Sequence, residues 1–186
     1  MAEQAVAVVD TNVLLNLATP VVDGRPHAPS GADPLKALLT GYDVHIPASV
    51  LGEVTDATRS DDLLSAAADL VLKAAHQLTT HDVDARIHEP LNYGLDRGES
   101  EAIWLVNELQ ANLCITDEFN TTNYLFVNLA LNDRNILFTT PHILCAFATH
   151  EIIPVEYVET ALTYYVETKG WDVQYVAQLR KQNLTE

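Results

Sequence analysis

The chain has 186 residues, 48% of them hydrophobic, which is enough for one good-sized core and predicts a single domain over residues 1–186. No apolar run reaches the roughly 18 residues that a membrane span needs, and the N-terminal stretch MAEQAVAVVD does not resemble a signal peptide, so we expect a soluble, cytoplasmic protein without a membrane partner. The 26 acidic and 10 basic residues give a formal net charge of -16, which repels phosphate backbones at low salt and by itself argues against nucleic acid as a ligand.

High salt would remove that objection. The only lysines are Lys36, Lys73, Lys169 and Lys181. This acid-rich, lysine-poor composition is similar to that of proteins from salt-accumulating halophilic archaea, which is the source we expect; an ordinary acidic cytosolic protein is the alternative. At about 1 M salt the Debye length is roughly 3 Å, so only local contacts act on a ligand.

Strand and helix patterns alternate in the first half of the chain. The patterns predict a strand over residues 5–9 and a helix over 11–18. A loop insertion should follow over 19–34, which holds four prolines and two glycines. Next we predict a helix over 35–39, a strand over 42–46, a helix from residue 47 that carries Glu53, and a helix over 61–78.

Residues 79–97 show little pattern, and the second half is clearer. We predict a helix over residues 98–111, a strand over 113–116, a helix over 121–131, a strand over 135–139 and a helix over 141–150. A C-terminal helical tail over about 155–182 should contain two helices. Strands separated by helices predict an α/β three-layer sandwich around a parallel sheet of about four to five strands.

Three other groups of residues have structural interpretations. Cys114 and Cys145 each lie in an apolar segment, which favours reduced core thiols over a disulfide. The seven histidines lack the paired spacing of metal ligands and are interpreted as structural or surface residues. Helical spacing favours packing over base stacking for the aromatic residues Tyr157, Tyr164, Tyr165, Trp171 and Tyr175.

Acidic residues recur where a predicted strand passes into a helix or a helix begins. They are Asp10, Glu53, Glu99, Glu101, Asp117 and Glu118. Parallel sheets bind ligands outside the carboxyl ends of their strands, so these acids can converge. Gathered carboxylates repel one another unless a cation neutralises them, and all-oxygen ligands favour Mg²⁺ or Mn²⁺ over zinc.

Each acid also has a simpler interpretation. Asp10 suits the N-cap of an apolar helix, and Glu53 could be a solvent-facing helical residue. Glu99 and Glu101 both suit a helix N-terminus, so one of them is expected to be structural, and the sequence leaves open which.

Four stretches occur in an order that resembles the PIN-domain ribonucleases, over most of the chain. They are VVDTNVLL at residues 8–15, LGEV at 51–54, RGESEAI at 97–103 and CITDE at 114–118. Residues 136–173 also resemble one uncharacterised archaeal branch of this family. The resemblance implies a PIN-like, Rossmann-like sandwich.

The resemblance also implies a set of site residues. Asp10, Glu53, Glu101 and Asp117 would be catalytic, with the metal ion on Asp10, Glu101 and Asp117 and with Glu99 and Glu118 as supplementary acids. Thr11 and Asn12 would orient Asp10 or a metal-bound water by hydrogen bonds. Arg97 would contact a substrate phosphate, or else be an exposed surface charge.

The activity implied is hydrolysis of RNA phosphodiester bonds with Mg²⁺ or Mn²⁺, leaving 5′-phosphate and 3′-hydroxyl ends. The resemblance leaves open a toxin held by an antitoxin protein or an RNA-processing enzyme, and the length of the chain favours the second; a homodimer is also open. The alternatives are a non-catalytic PIN-like interaction module and a phosphomonoesterase. The second is disfavoured because Asn12 stands where Asp-led phosphatases have a second Asp.

Overall fold

The computed structural model describes residues 4–25, 31–89, 91, 93, 95–117, 127–128, 130–131 and 134–184. Its strands are β1 (Val6–Val9), β2 (Asp43–Pro47), β3 (Thr79–His81), β4 (Leu113–Ile115) and β5 (Leu137–Phe138). They form one sheet in the order β3-β2-β1-β4-β5, and every pairing is parallel. The prediction of an α/β fold with a parallel sheet is confirmed, and the arrangement is a Rossmann-like three-layer fold.

Eight α-helices occupy the described part of the chain. They are α1 (Thr11–Asp23), α2 (Pro34–Gly41), α3 (Ala48–Ala57), α4 (Leu63–Ala74), α5 (Arg97–Glu108), α6 (Thr140–Thr149), α7 (Val155–Lys169) and α8 (Val173–Asn183). Alternate side chains of β1 pack into different cores. Val8 joins the core that contains the apolar face of α5, whereas Ala7 and Val9 join the larger core with α1, α4, α6, α7 and α8.

The strand order reverses between β1 and β4. The chain adds β2 and β3 on one side of β1 and then returns to the other side for β4 and β5. The N–H of Asp10 donates to the carbonyl oxygen of Ile115 at 3.0 Å, so the carboxyl ends of β1 and β4 lie side by side. Open α/β sheets bind ligands at such a reversal, and Asp10 and Asp117 both follow the strands that form it.

The predicted loop over residues 19–34 is wrong at both ends. Helix α1 continues through Pro20 to Asp23 and ends at Gly24, which has a φ of +70°. A proline inside a helix loses one hydrogen bond. Thr19 and Pro20 are buried, and we attribute the continuation to this packing. At the other end, Pro34 is already the first residue of α2, whose N-terminus is capped by the Asp33 carboxylate.

Strand β3 lies in the segment for which the sequence shows little pattern. It has three residues, pairs with β2 alone among the described strands and exposes Thr79 and Thr80, so it lacks the apolar run by which a buried strand is recognised. The predicted helix over 121–131 falls largely outside the described residues. None of the helices that the structure describes is both long and apolar enough to cross a membrane.

The predictions for the cysteines and for the C-terminal aromatic residues are confirmed, with Tyr175 only partly buried against the core. Cys114 and Cys145 are buried and unbridged. Tyr157, Tyr164, Tyr165 and Trp171 are buried, and the rings of Tyr165 and Trp171 stack with their centroids 4.4 Å apart. The hydroxyl of Tyr165 donates to the carbonyl oxygen of Asn16 at 2.6 Å, which ties α7 to α1.

Candidate functional site

Asp10 caps α1 at the carboxyl end of β1. Its Oδ1 accepts a hydrogen bond from the N–H of Thr11 at 2.7 Å, and its Oδ2 accepts one from the hydroxyl of Thr116 at 3.3 Å. The side chain is half-buried. The capping interpretation of Asp10 is therefore correct as local structure, and it leaves the carboxylate beside β4, at the reversal in strand order.

Glu53 reaches the same region from α3. The hydroxyl of Thr11 donates to its Oε2. Its Oε1 lies against the backbone of Gly98 at the start of α5, where a β-carbon would come within 3.0 Å of it. Glu53 thus joins the N-termini of α1 and α5, and only glycine leaves it this room. Asn12, the other polar residue beside Asp10, is exposed.

Asp117 follows β4 and is held from two helices. Its Oδ2 accepts hydrogen bonds from the Asn16 side chain at 2.7 Å and from the Thr140 hydroxyl at 2.5 Å, and its Oδ1 accepts one from the Thr140 N–H at 2.7 Å. Only 8% of Asp117 is exposed. The three donors offset part of the cost of burying a carboxylate.

Glu101 is turned toward other partners. It is 4% exposed, and its Oε2 accepts a hydrogen bond from the Ser49 hydroxyl at 2.6 Å. Its Oε1 pairs with Nε of Arg97 at 2.6 Å. Arg97 also pairs with Asp84, and 70% of its side chain is exposed. Arg97 is thus an exposed, ion-paired surface charge, which is the alternative to a phosphate contact that the sequence left open.

Glu99 stands on the Asp10 side of α5. It forms a capping box with Asp96 at the start of the helix. It also lines a small cavity of about 20 Å³ together with Asp10 and Thr116. Of Glu99 and Glu101, Glu99 is therefore the acid with the structural role at the helix N-terminus. It also lies close to Asp10. Glu118 lies outside the described residues.

The environment of Asp10 and Asp117 disfavours negative charge. Burial, together with repulsion from Glu53 and Asp117, raises the pKa of Asp10 from 3.8 to about 7, against the opposing hydrogen bonds from Thr11 and Thr116. Burial also raises the pKa of Asp117, although Thr140, Asn16 and Lys169 oppose the shift. In the described part of the chain, no Lys, Arg or His forms an ion pair with Asp10, Glu53 or Asp117.

These carboxylates do not form a ready-made metal cage. Across the described ranges, no three Asp, Glu, His or Cys side chains converge closely enough to hold an ion. The chemistry of the donors nevertheless fits a hard divalent cation, because Asp10, Glu53 and Asp117 supply only oxygen atoms and no described Lys, Arg or His forms an ion pair with them. Binding of a cation would require one or more of these side chains to move toward Asp10.

Several polar residues that the sequence did not single out hold the acids in place. They are Asn16, Ser49, Thr116 and Thr140. Asn16 carried a signal that could have been used, because it is a polar residue on the apolar face of a predicted helix. Thr140 follows β5, and only the strand order shows that this strand lies beside β4.

Two histidines form a pair that spacing along the chain did not suggest. Nδ1 of His45 lies 2.7 Å from Nε2 of His81, and their rings stack across β2 and β3. The contact links the neighbouring strands β2 and β3.

Comparison with protein-family models gives no match to this chain, and comparison with curated proteins gives none either.

Proposed function

We propose that the protein is a metal-dependent ribonuclease with its active site at the carboxyl ends of β1 and β4. The proposal rests on one observation: Asp10 lies half-buried at the reversal in strand order, where burial, with repulsion from Glu53 and Asp117, raises its pKa, and no described Lys, Arg or His forms an ion pair with any of the three acids. A divalent cation would supply the missing positive charge. The resemblance to PIN-domain ribonucleases supports RNA as the substrate, and we expect the protein to act in the cytoplasm.

The chain's own residues would have distinct roles. Asp10, Glu53 and Asp117 would hold Mg²⁺ or Mn²⁺, and Glu101 would join them if it left Arg97. Thr11, Asn16 and Thr140 fix the orientation of the acids through the hydrogen bonds described above. When bound there, the ion would supply a water of lowered pKa and positive charge beside the leaving oxygen.

A proton on Asp10 couples the site to pH. With its pKa raised to about 7, Asp10 exchanges a proton near neutral pH when no cation is bound. Cation binding requires the ionised carboxylate and would therefore release this proton. We expect metal affinity, and with it activity, to rise between about pH 6 and 8.

The test is cleavage of structured and unstructured RNA in molar KCl with Mn²⁺, with EDTA, and by the variants Asp10→Asn and Asp117→Asn. We expect cleavage products with 5′-phosphate ends from the unmodified protein, and none from either variant or in EDTA. Asp69→Asn, which removes an exposed carboxylate of α4, should cleave as the unmodified protein does. Cleavage that persists in EDTA or in either site variant contradicts the mechanism.

A non-catalytic interaction module is the second candidate, and the Arg97–Glu101 pair favours it. One proposed ligand is already neutralised by a side chain of the same helix. Mn²⁺ binding without cleavage of any RNA in the same assay would support this candidate. An antitoxin or a second copy of the chain would then be the partners to seek.

A further inference from the structure

Glu101 uses both of its carboxylate oxygens within the protein. Oε1 accepts from Nε of Arg97 and Oε2 accepts from the hydroxyl of Ser49, each at 2.6 Å. With 4% of the residue exposed, water has little access to it. A cation at the carboxylate cluster can therefore use Glu101 only by sharing or replacing one of these two contacts.

Of the two contacts, the one with Arg97 is the easier to exchange. Its guanidinium carries the charge that a metal ion would replace, whereas the Ser49 hydroxyl is neutral. The Arg97 side chain is 70% exposed and lies at the first position of α5, so it can turn toward solvent at little cost. The Glu101 carboxylate cannot turn away from Arg97 in the same way, because its negative charge would then be buried without a positive charge beside it.

Asp84 gives Arg97 a second partner away from Glu101. The guanidinium already contacts the Asp84 carboxylate, which is 60% exposed. When Arg97 releases Glu101 it can keep this ion pair. The exchange therefore replaces one neutralising charge on Glu101 by another and leaves neither acid unpaired.

We propose that Arg97 competes with the divalent cation for Glu101 and thereby sets the metal affinity of the site. This inference rests on the proposed function, because it assumes that a cation binds at the carboxylate cluster. It adds that the chain carries its own competitor, four residues from the ligand on the same helix. Arg97 then serves as a positioning residue that holds the Glu101 carboxylate until metal displaces it.

The test is the dissociation constant of Mn²⁺, measured by electron paramagnetic resonance or calorimetry without RNA, at one pH and one KCl concentration. Arg97→Gln should bind Mn²⁺ about two- to fivefold more tightly, the range expected when an ion pair with one exposed partner is lost. Arg59→Gln is the matched control, because Arg59, just after the end of α3, is also exposed and pairs with the Asp56 carboxylate at 2.9 Å. It should leave the dissociation constant unchanged.

Glu101→Gln separates direct competition from a general effect of charge. If Arg97 acts through Glu101, Arg97→Gln should tighten Mn²⁺ binding in the unmodified protein and have no effect in the Glu101→Gln background. Unchanged or weaker binding by Arg97→Gln overturns the inference, and so does a gain that persists without Glu101 or that Arg59→Gln reproduces. If the unmodified protein binds Mn²⁺ in those cases, the proposed metal site stands and RNA cleavage decides the proposed function; if neither the unmodified protein nor any variant binds Mn²⁺, both fail.

Discussion

Thr140 donates twice to the carboxylate of Asp117, through its N–H at 2.7 Å and through its hydroxyl at 2.5 Å. Thr140 is fully buried and Asp117 is 8% exposed, so water cannot replace either bond. The first residue of α6 thus fixes an acid at the end of β4. A hydrogen bond to a buried charge is among the stronger polar contacts in a protein.

Replacement of Thr140 by valine should destabilise the protein. Valine keeps the shape of the side chain and the backbone donor but removes the hydroxyl donor, so we expect a loss of about 1–3 kcal/mol in the free energy of unfolding. Thr140→Ser keeps the hydroxyl and should lose about 1 kcal/mol or less. Urea unfolding in one KCl concentration with EDTA measures both. Equal stability of Thr140→Val and the unmodified protein would show that the hydroxyl bond contributes nothing.

The raised pKa of Asp10 predicts a pH dependence with a definite sign. The folded value of about 7 exceeds the ordinary value of 3.8, so between these pH values the folded state binds more protons and stability falls as pH rises. Asp10→Asn retains a capping side chain and removes the charge. In EDTA its stability relative to the unmodified protein should increase from pH 5 to 8, reaching a gain of about 1–3 kcal/mol.

Asp62→Asn is the control for the Asp10 prediction. Asp62 caps α4 as Asp10 caps α1, but the N–H of Ser65 lowers its pKa, so it is already ionised throughout pH 5 to 8. The stability difference for Asp62→Asn should therefore be constant over this range. A constant difference for Asp10→Asn as well would contradict the raised pKa of Asp10.

Gly98→Ala tests the contact between α5 and Glu53. The new β-carbon would lie 3.0 Å from Glu53 Oε1, so the carboxylate must shift, and we expect this shift to disturb the bond between its Oε2 and the Thr11 hydroxyl. We expect weaker Mn²⁺ binding and slower RNA cleavage. The gain in helix propensity, about 0.5–1 kcal/mol for an alanine in a helix, should be offset by this shift.

Gly52→Ala is the matched control for Gly98→Ala. Gly52 precedes Glu53 on α3, and an added β-carbon there meets nothing within 4 Å. This variant should gain about 0.5–1 kcal/mol in stability and keep its Mn²⁺ affinity. The proposed role of Gly98 would be wrong if both alanine variants bound Mn²⁺ equally well.

The His45–His81 pair predicts a second pH dependence, of opposite sign. Burial and the neighbouring His45 and Arg86 lower the pKa of His81 below 6.5, while Asp43 opposes the shift. The folded state then binds fewer protons below pH 6.5, so stability is complete above this pH and is lost as the pH falls. His81→Gln should lose less stability between pH 6.5 and 5 than the unmodified protein does. Parallel losses in the two proteins would contradict the lowered pKa.

Local patterns in the sequence predicted most of the fold, because β1 and β2 are short strands followed directly by helices and β4 is a short apolar run. General rules for parallel strands limit the possible orders of these strands in the sheet but do not determine the order. The continuation of α1 through Pro20 depends on burial by distant segments, and β3 is an exposed edge strand. Neither feature is encoded in a window of neighbouring residues.

The acids of the site were predictable to different degrees. Asp10 and Asp117 directly follow apolar strands, and their convergence depends only on those strands being neighbours. The direction of the Glu101 side chain depends on Ser49 of another helix and could not be read from α5 alone. The four-residue separation of Arg97 and Glu101 was visible in the sequence, but such spacing gives no means of choosing between an ion pair and a phosphate contact.

The most direct test of a metal centre at the end of β1 and β4 is anomalous X-ray diffraction from crystals grown with MnCl₂. The proposal predicts a manganese peak about 2.1–2.2 Å from a carboxylate oxygen of Asp10, with Glu53, Glu101 or Asp117 as a further ligand. It also predicts no peak there in crystals of Asp10→Asn. The absence of an anomalous peak at Asp10 in crystals grown with saturating MnCl₂ would contradict the proposal.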